Sequence, residues 1–238
     1  MLNVFKIFSQ LINRTDDQRK ILSFYSKFMG RNDLCFDVGA NIGNRTEVFL
    51  KLDAKVVCVE PQSSCFDRLS RLYRDNERVI LVNKGLAEEE GHLTLHICEK
   101  AATISTMSDK WKNEGRFSND YTWNKIQVVP VTTLDELIKS YGLPKFCKID
   151  VEGFEYLVLK GLSQPIPYIS FEFTKEFFDD TKKSIEYILS IGNAQFNCSI
   201  GESYELLFDS WVDPDTLYNK LDLIEDKSLW GDIYVRFL

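Results

Sequence analysis

The chain has 238 residues, 44% of them hydrophobic, and a formal net charge of −7. That length buries a sizeable core within one large α/β domain, and the composition is that of a globular chain. The acidic balance argues against a broad nucleic-acid footprint, which needs basic surface, and no apolar run reaches membrane-spanning length.

Residues 1–30 read as two helices. Val4, Phe5, Phe8, Leu11 and Ile12 recur at helical spacing. The opening Met1–Phe8 lacks a basic lead and a small-residue cleavage site, so no signal peptide is expected. Thr15-Asp16-Asp17-Gln18 is a capping-box pattern. Ile21, Leu22, Tyr25, Phe28 and Met29 then form a stripe that leaves the helix at Gly30. The expected role is a helical cover on a domain of residues 31–238. A dimer surface and a lid over a substrate are the sharper alternatives. Membrane-surface binding is weaker, because the polar face carries few lysines.

The stretch Leu34–Gly43 follows. A short apolar run meets Asp37, then turns through Gly39 and Gly43 into Asn44–Leu50, which reads as a helix. This is strand, tight loop, helix, the opening of a parallel α/β unit. The glycines allow unusual backbone angles, and Asn41 tolerates a left-handed turn. A second strand, Lys55–Val59, ends at Glu60. A carboxylate there is placed to accept hydrogen bonds from two ribose hydroxyls. The loop is not G-x-G-x-x-G but D-x-G-A-N-x-G, running from Asp37 through Gly39, Ala40 and Asn41 to Gly43. Beside a pyrophosphate the Asp37 charge would be repulsive; beside a sulfonium or ammonium it is favourable. S-adenosylmethionine carries both cations and no phosphate, so the loop favours that cofactor over a dinucleotide. The plain alternative is a glycine turn that serves only strand-to-helix geometry.

After Pro61 a helix carries Cys65, Phe66, Leu69 and Leu72 on one face. Arg78–Val82 reads as a third parallel strand, whose tip at Asn83-Lys84-Gly85 faces the same crevice; Asn83 is expected beside the adenine. His92–Ile97 alternates like a strand, with His92 and His96 on one face. A metal site needs more ligands than these, so surface roles are expected. Residues 99–125 read as an irregular polar loop bordering an acceptor pocket, or as a surface insertion. Ile126–Val131 is a strand, and Thr132 or Thr133 caps the helix that reaches Ile138. Phe146–Gly153 is the fourth core strand with its tip, ending in Asp150, Glu152 and a glycine. A helix over 154–161, a strand Ile166–Phe173 ending near Glu172, and an amphipathic helix over 175–191 complete the core pattern. In the tail, strands are expected at Phe196–Ile200 and Asp232–Phe237, with Tyr204–Phe208 between them. The six cysteines include no C-x-x-C pair and read as reduced, small apolar residues of a cytoplasmic protein.

Taken together these motifs resemble the FkbM family of S-adenosylmethionine-dependent methyltransferases. The residues that carry the resemblance are Asp37–Gly43, Val59-Glu60-Pro61, Gly91–Leu95, Val131–Leu137, the K-I-D-V-E-G-F-E run from Lys148 to Glu155, and Leu159-Lys160-Gly161. They fall in the family's order across residues 34–173. The resemblance implies the class I methyltransferase fold: α/β and Rossmann-like, with a seven-stranded, mostly parallel sheet, one strand reversed near the end, and helices on both faces. It also implies methyl transfer, usually to a hydroxyl oxygen of a small molecule, sugar or natural-product intermediate.

The expected cofactor contacts are Asp37, Gly39, Ala40, Asn41, Gly43, Glu60, Asn83 and Asp150. An alcohol is a weak nucleophile at neutral pH, so a base should take its proton. Asp150 and Glu152 are the candidates, since a carboxylate buried beside another has a raised pKa. Otherwise Asp150 holds the cofactor's amino group or the acceptor, and Glu152 caps the helix beyond Gly153. A carboxylate pair could ligate Mg²⁺, but no third ligand is evident in the sequence, so no metal is expected. The expected partner is a small-molecule or sugar acceptor, without nucleic acid or membrane. A nucleic-acid methyltransferase is disfavoured by the absence of N-P-P-Y, D-P-P-Y or a Pro-Cys pair. A nicotinamide-dependent oxidoreductase is disfavoured by Asp37. A cofactor-binding module that has lost its chemistry is the remaining alternative.

Overall fold

A computed structural model describes residues 17–238. The helix expected over the first dozen residues, and the Thr15-Asp16 half of the capping box, lie outside the described residues. The elements in chain order begin with α1 (17–25), β1 (Leu34–Val38), α2 (Asn44–Lys51), β2 (Lys55–Val59), α3 (Ser63–Tyr73), β3 (Val79–Val82), β4 (Gly85–Leu86) and β5 (Gly91–Ile97). They continue with α4 (Asp109–Glu114), β6 (Lys125–Thr132), α5 (Leu134–Tyr141), β7 (Phe146–Ile149), α6 (Glu155–Lys160) and β8 (Tyr168–Thr174). The chain closes with α7 (Phe178–Ile191), β9 (Ala194–Ile200), α8 (Pro214–Asp222) and β10 (Trp230–Phe237).

Seven strands form one sheet in the order β3-β2-β1-β7-β8-β10-β9. β1 pairs in parallel with β2 on one side and β7 on the other, and β8 runs parallel to β7. β10 alone is reversed, lying antiparallel between β8 and β9. This is the class I methyltransferase arrangement that the motifs imply. β4, β6 and β5 make a second, three-stranded sheet.

The strands are apolar on both sides because both faces are covered, as parallel sheets require. Successive residues serve opposite layers. Phe36, Val57, Cys147 and Ile149 pack against α5, α6 and α7 in the larger core. Cys35, Val56 and Phe146 pack with α2 and with Phe24, Tyr25, Phe28 and Met29 in the smaller one. Over the described residues 17–29 the chain packs on this face of the sheet, with Phe28 stacked on Tyr234 at 4.9 Å and on Phe146 at 5.5 Å. All six cysteines are free and buried.

Two sequence expectations change. Residues 99–125 contain a 3₁₀ turn at Ala102–Ile104 and the helix α4, capped where the Trp111 N–H donates to the Ser108 hydroxyl at 3.1 Å. In the tail, Tyr204–Phe208 lies in the turn expected between the two strands, but a helix, α8, follows it where the sequence reading has none. Asp213 caps α8 by accepting from the Thr216 N–H at 2.9 Å, with Pro214 in its first turn. No described helix is long and apolar enough to cross a membrane.

Candidate active site

The sheet reverses its strand order between β1 and β7, and ligands of open α/β sheets bind at such a reversal. A cavity of about 320 Å³ opens there, lined from the tips of β1, β2, β7 and β8 and from the loop after β5. Of the sequence-derived candidates, Asp37, Gly39, Ala40, Asn41, Glu60, Asp150 and Glu152 line it.

The loop after β1 owes its shape to left-handed backbone at Gly39 (φ 78°), Asn41 (φ 50°) and Gly43 (φ 91°). Gly39 has a second constraint: a Cβ there would stand 1.8 Å from the Asp150 carbonyl oxygen. The loop and the tip of β7 therefore touch backbone to backbone. Gly43 does not line the cavity; it abuts Leu69 and Tyr73 of α3 and leads into α2.

Glu60 is 5% exposed. Its two carboxylate oxygens accept the Asn41 and Gln62 backbone N–H groups, each at 2.7 Å. Burial pushes the carboxyl up to about 7 despite those bonds. Asn83 supports it from behind, its amide donating to the Glu60 carbonyl at 2.8 Å. Asn83 therefore braces the acid, and the wall next to it is made by Lys84, Gly85 and Leu86. Asp37 is buried and accepts the Thr46 hydroxyl at 2.5 Å; burial raises its pKa too.

A second group of acids stands at the tips of β7 and β8. Lys148 is 2% exposed, and its ammonium donates to Asp150 at 2.7 Å and lies 3.8 Å from Asp232. Burial alone would raise Asp150, but this ammonium outweighs it and holds the carboxyl below its ordinary range. The raised pKa expected of the pair thus belongs to Glu152. Burial first, then Asp150 and Glu155, push Glu152 well up. Glu152 sits in left-handed backbone (φ 55°), and its carbonyl accepts the Thr106 hydroxyl at 2.7 Å. Glu152 does not cap α6, which has no side-chain cap; Glu155, its first residue, instead accepts the Val151 and Gly153 N–H groups of the preceding turn at 3.0 and 3.3 Å.

Glu172 is the site residue that sequence reasoning passed over. The parallel register Ile149↔Phe171 sets it level with Asp150, and burial plus the Glu152 and Asp150 charges raise its pKa strongly. The signal was its position at the end of a strand beside β7. Asp150, Glu152 and Glu172 offer carboxylate oxygens all within 4.8 Å of one another. The third ligand that the sequence did not reveal is therefore present, and the three could hold a hard divalent cation.

The wall fits S-adenosylmethionine, the cofactor of the family the motifs resemble. Its lining carries six acids, Asp37, Glu60, Asp150, Glu152, Glu172 and Glu202, against the cations Arg45, Lys84 and Lys148, an acidic excess favourable to a sulfonium and an ammonium and unfavourable to a pyrophosphate. The buried Glu60 keeps lone pairs for ribose hydroxyls beyond the two that its backbone donors use. A second cavity of about 360 Å³ lies beyond, between α4, the start of α6, the end of β8 and the start of α7. Ala102, Thr103 and Ser105–Met107 line the first cavity and Met107–Trp111 the second, so the polar loop borders both.

Against known proteins, the family described as "Methyltransferase FkbM domain" matches residues 37–196. Hexuronic acid methyltransferase AglP of Haloferax volcanii is 28% identical over 162 residues, 67% of this chain; the chain spans 62% of that relative's length. Among solved structures, a precorrin-6y C5,15-methyltransferase of Geobacter metallireducens superposes with a TM-score of 0.49 at 9% identity, covering 93% of this chain and 86% of that one. An rRNA methylase of Streptococcus thermophilus superposes with a TM-score of 0.44 at 12% identity, covering 91% of this chain and 93% of that one.

Proposed function

Because the chain belongs to the FkbM methyltransferase family, we propose that it transfers a methyl group from S-adenosylmethionine to a hydroxyl oxygen of a sugar or sugar-like small molecule. The observation that carries this reading is Glu60, a buried carboxylate aimed by two backbone donors into a cavity that ends at the acids of β7 and β8. The sugar comes from the hexuronic acid in the name of the relative AglP.

When bound, S-adenosylmethionine supplies a methyl group activated by its sulfonium. Glu60 accepts the ribose hydroxyls, and the D-x-G-A-N-x-G loop lets the backbone come close. Asp150, kept ionised by Lys148, contributes a fixed negative charge near the cations of the cofactor. Glu152, whose carboxyl burial and the neighbouring acids push well above the ordinary carboxylate range, would take the proton of the acceptor hydroxyl as the oxygen becomes bonded to carbon. Positioning two reactants at the end of one rigid sheet supplies much of the rate.

Thermal unfolding with S-adenosylhomocysteine, and with NAD as control, tests the cofactor. A ligand at a hundred times its Kd stabilises by about 2.7 kcal/mol. For a domain of this size that raises Tm by about 5–10 °C. A rise with the homocysteine form alone is expected; a rise with NAD instead would overturn the reading of the loop at Asp37.

A further inference from the structure

The second cavity shares only two residues with the first, Met107 and Glu172. Glu172 is thus a carboxylate on the boundary between them, and no hydrogen bond from a described residue reaches its side chain. Beyond it the walls combine aromatic surface with hydrogen-bonding groups. Trp111, 3% exposed, lies flat against Gly153, where a Cβ would stand 2.9 Å from its own Cβ. Phe177 stands 5.8 Å from the Trp111 ring. The indole N–H of Trp111 is buried and has no partner among the described residues. A lone buried donor of this kind is costly unless something accepts from it.

The charges narrow the occupant. The one cation lining this cavity among the described residues is Lys110, and it is already committed: its ammonium bonds Asp180 at 2.5 Å and lies 4.5 Å from the centre of the Phe177 ring. No cation is left to receive a carboxylate. The place over Phe177 that an ammonium-bearing ligand would take is filled by the protein's own lysine. Glu155, Glu172 and Asp180 line the cavity too, and Glu152 stands beside its mouth. The walls offer an anionic ligand carboxyl groups, hydroxyl groups and no uncommitted cation, so its charge would go unpaired there, at a cost of several-fold in affinity or more. Hydroxyl groups suit the same walls, since carboxylates accept from them.

We propose that this second cavity is the acceptor site and that its acceptor is an uncharged, polyhydroxylated ring, a neutral sugar rather than a sugar acid, with the reacting hydroxyl at Glu172. This rests on the methyl-transfer reading above and departs from the hexuronic acid named for the relative AglP.

The test is a pair of measurements on the full chain. Calorimetric titration with S-adenosylhomocysteine first establishes the cofactor site; its failure counts against the methyl-transfer reading, not against the choice of acceptor. The saturated complex is then titrated with a set of neutral methyl hexopyranosides and the matching methyl hexopyranosiduronates. At least one neutral glycoside is expected to bind at least about tenfold more tightly than its uronate. Phe177→Ala should weaken that glycoside about fivefold while leaving S-adenosylhomocysteine affinity unchanged. Glu172→Gln should narrow the gap between neutral ring and uronate. A uronate that binds as well or better, no binding by either set to the saturated complex, or neutral-ring affinity indifferent to Phe177→Ala would each overturn the proposal.

Discussion

Single carboxylates in this site differ in what surrounds them, and their chemistry follows. Asp150 and Glu152 are two residues apart, yet Lys148 holds the first low while burial and neighbouring acids push the second up. The expected consequence is asymmetric. Glu152→Gln lowers kcat by about 100-fold or more and leaves S-adenosylhomocysteine affinity intact, because a general base acts on the acceptor. Near-normal turnover in both Glu152→Gln and Asp150→Asn would remove the base from the mechanism. Glu60 gives a pH signature. Its carboxyl is raised to about 7, and in the proposed role its ionised form would accept the ribose hydroxyls. Ligand binding therefore favours deprotonation: affinity is full above about pH 7 and falls as pH drops through it, by up to about tenfold per unit. Calorimetry between pH 6 and 8 measures that slope, which Glu60→Gln should flatten. The residue scale is also where legibility was uneven. Asp37 and Glu60 declared themselves at the ends of strands running into turns, whereas Glu172 is ordinary in sequence and becomes part of the site only through its neighbour β7.

At the scale of elements, the site depends on how the loop after β1 meets the tip of β7. Gly39→Ala would drive a Cβ into the Asp150 carbonyl in a backbone region that side chains avoid. We expect a loss of about 3 kcal/mol or more, from strain and overpacking together, seen as a lower urea midpoint. Cofactor affinity should fall with it, since the same contact aligns loop and acids. A fully stable Gly39→Ala would mean that the contact can relax. Elements with strong local signals were legible: strands ending in acids, the Thr133 cap of α5 accepting the Glu136 N–H at 3.1 Å, and the turn glycines. The 3₁₀ turn and α4 were not, because short helices rich in polar residues show little periodicity and gain their order from the walls they pack on. For α8 the local signal is Asp213 followed by Pro214, a cap and first-turn proline that the weak apolar periodicity beyond them does not support.

For the whole molecule, residues 17–29 are part of the core. Phe28, 2% exposed, sits among Phe24, Phe146 and Tyr234 on the sheet face opposite the larger core. Phe28→Ala should cost about 3–5 kcal/mol in denaturant unfolding while the folded protein binds S-adenosylhomocysteine as before, since Phe28 lines neither cavity. An unchanged midpoint would make the segment a dispensable cover. By itself the sequence determined the strand–loop–helix order, the cofactor loop, the acid at the end of β2 and the family, because each is written in contiguous residues whose spacing obeys backbone periodicity. Only the tertiary structure decided which acid Lys148 neutralises, that Glu172 joins Asp150 and Glu152, and that residues 102–111 wall two adjoining cavities. Those facts depend on distances between residues far apart in the chain, and such distances are set by sheet register and packing rather than by local pattern.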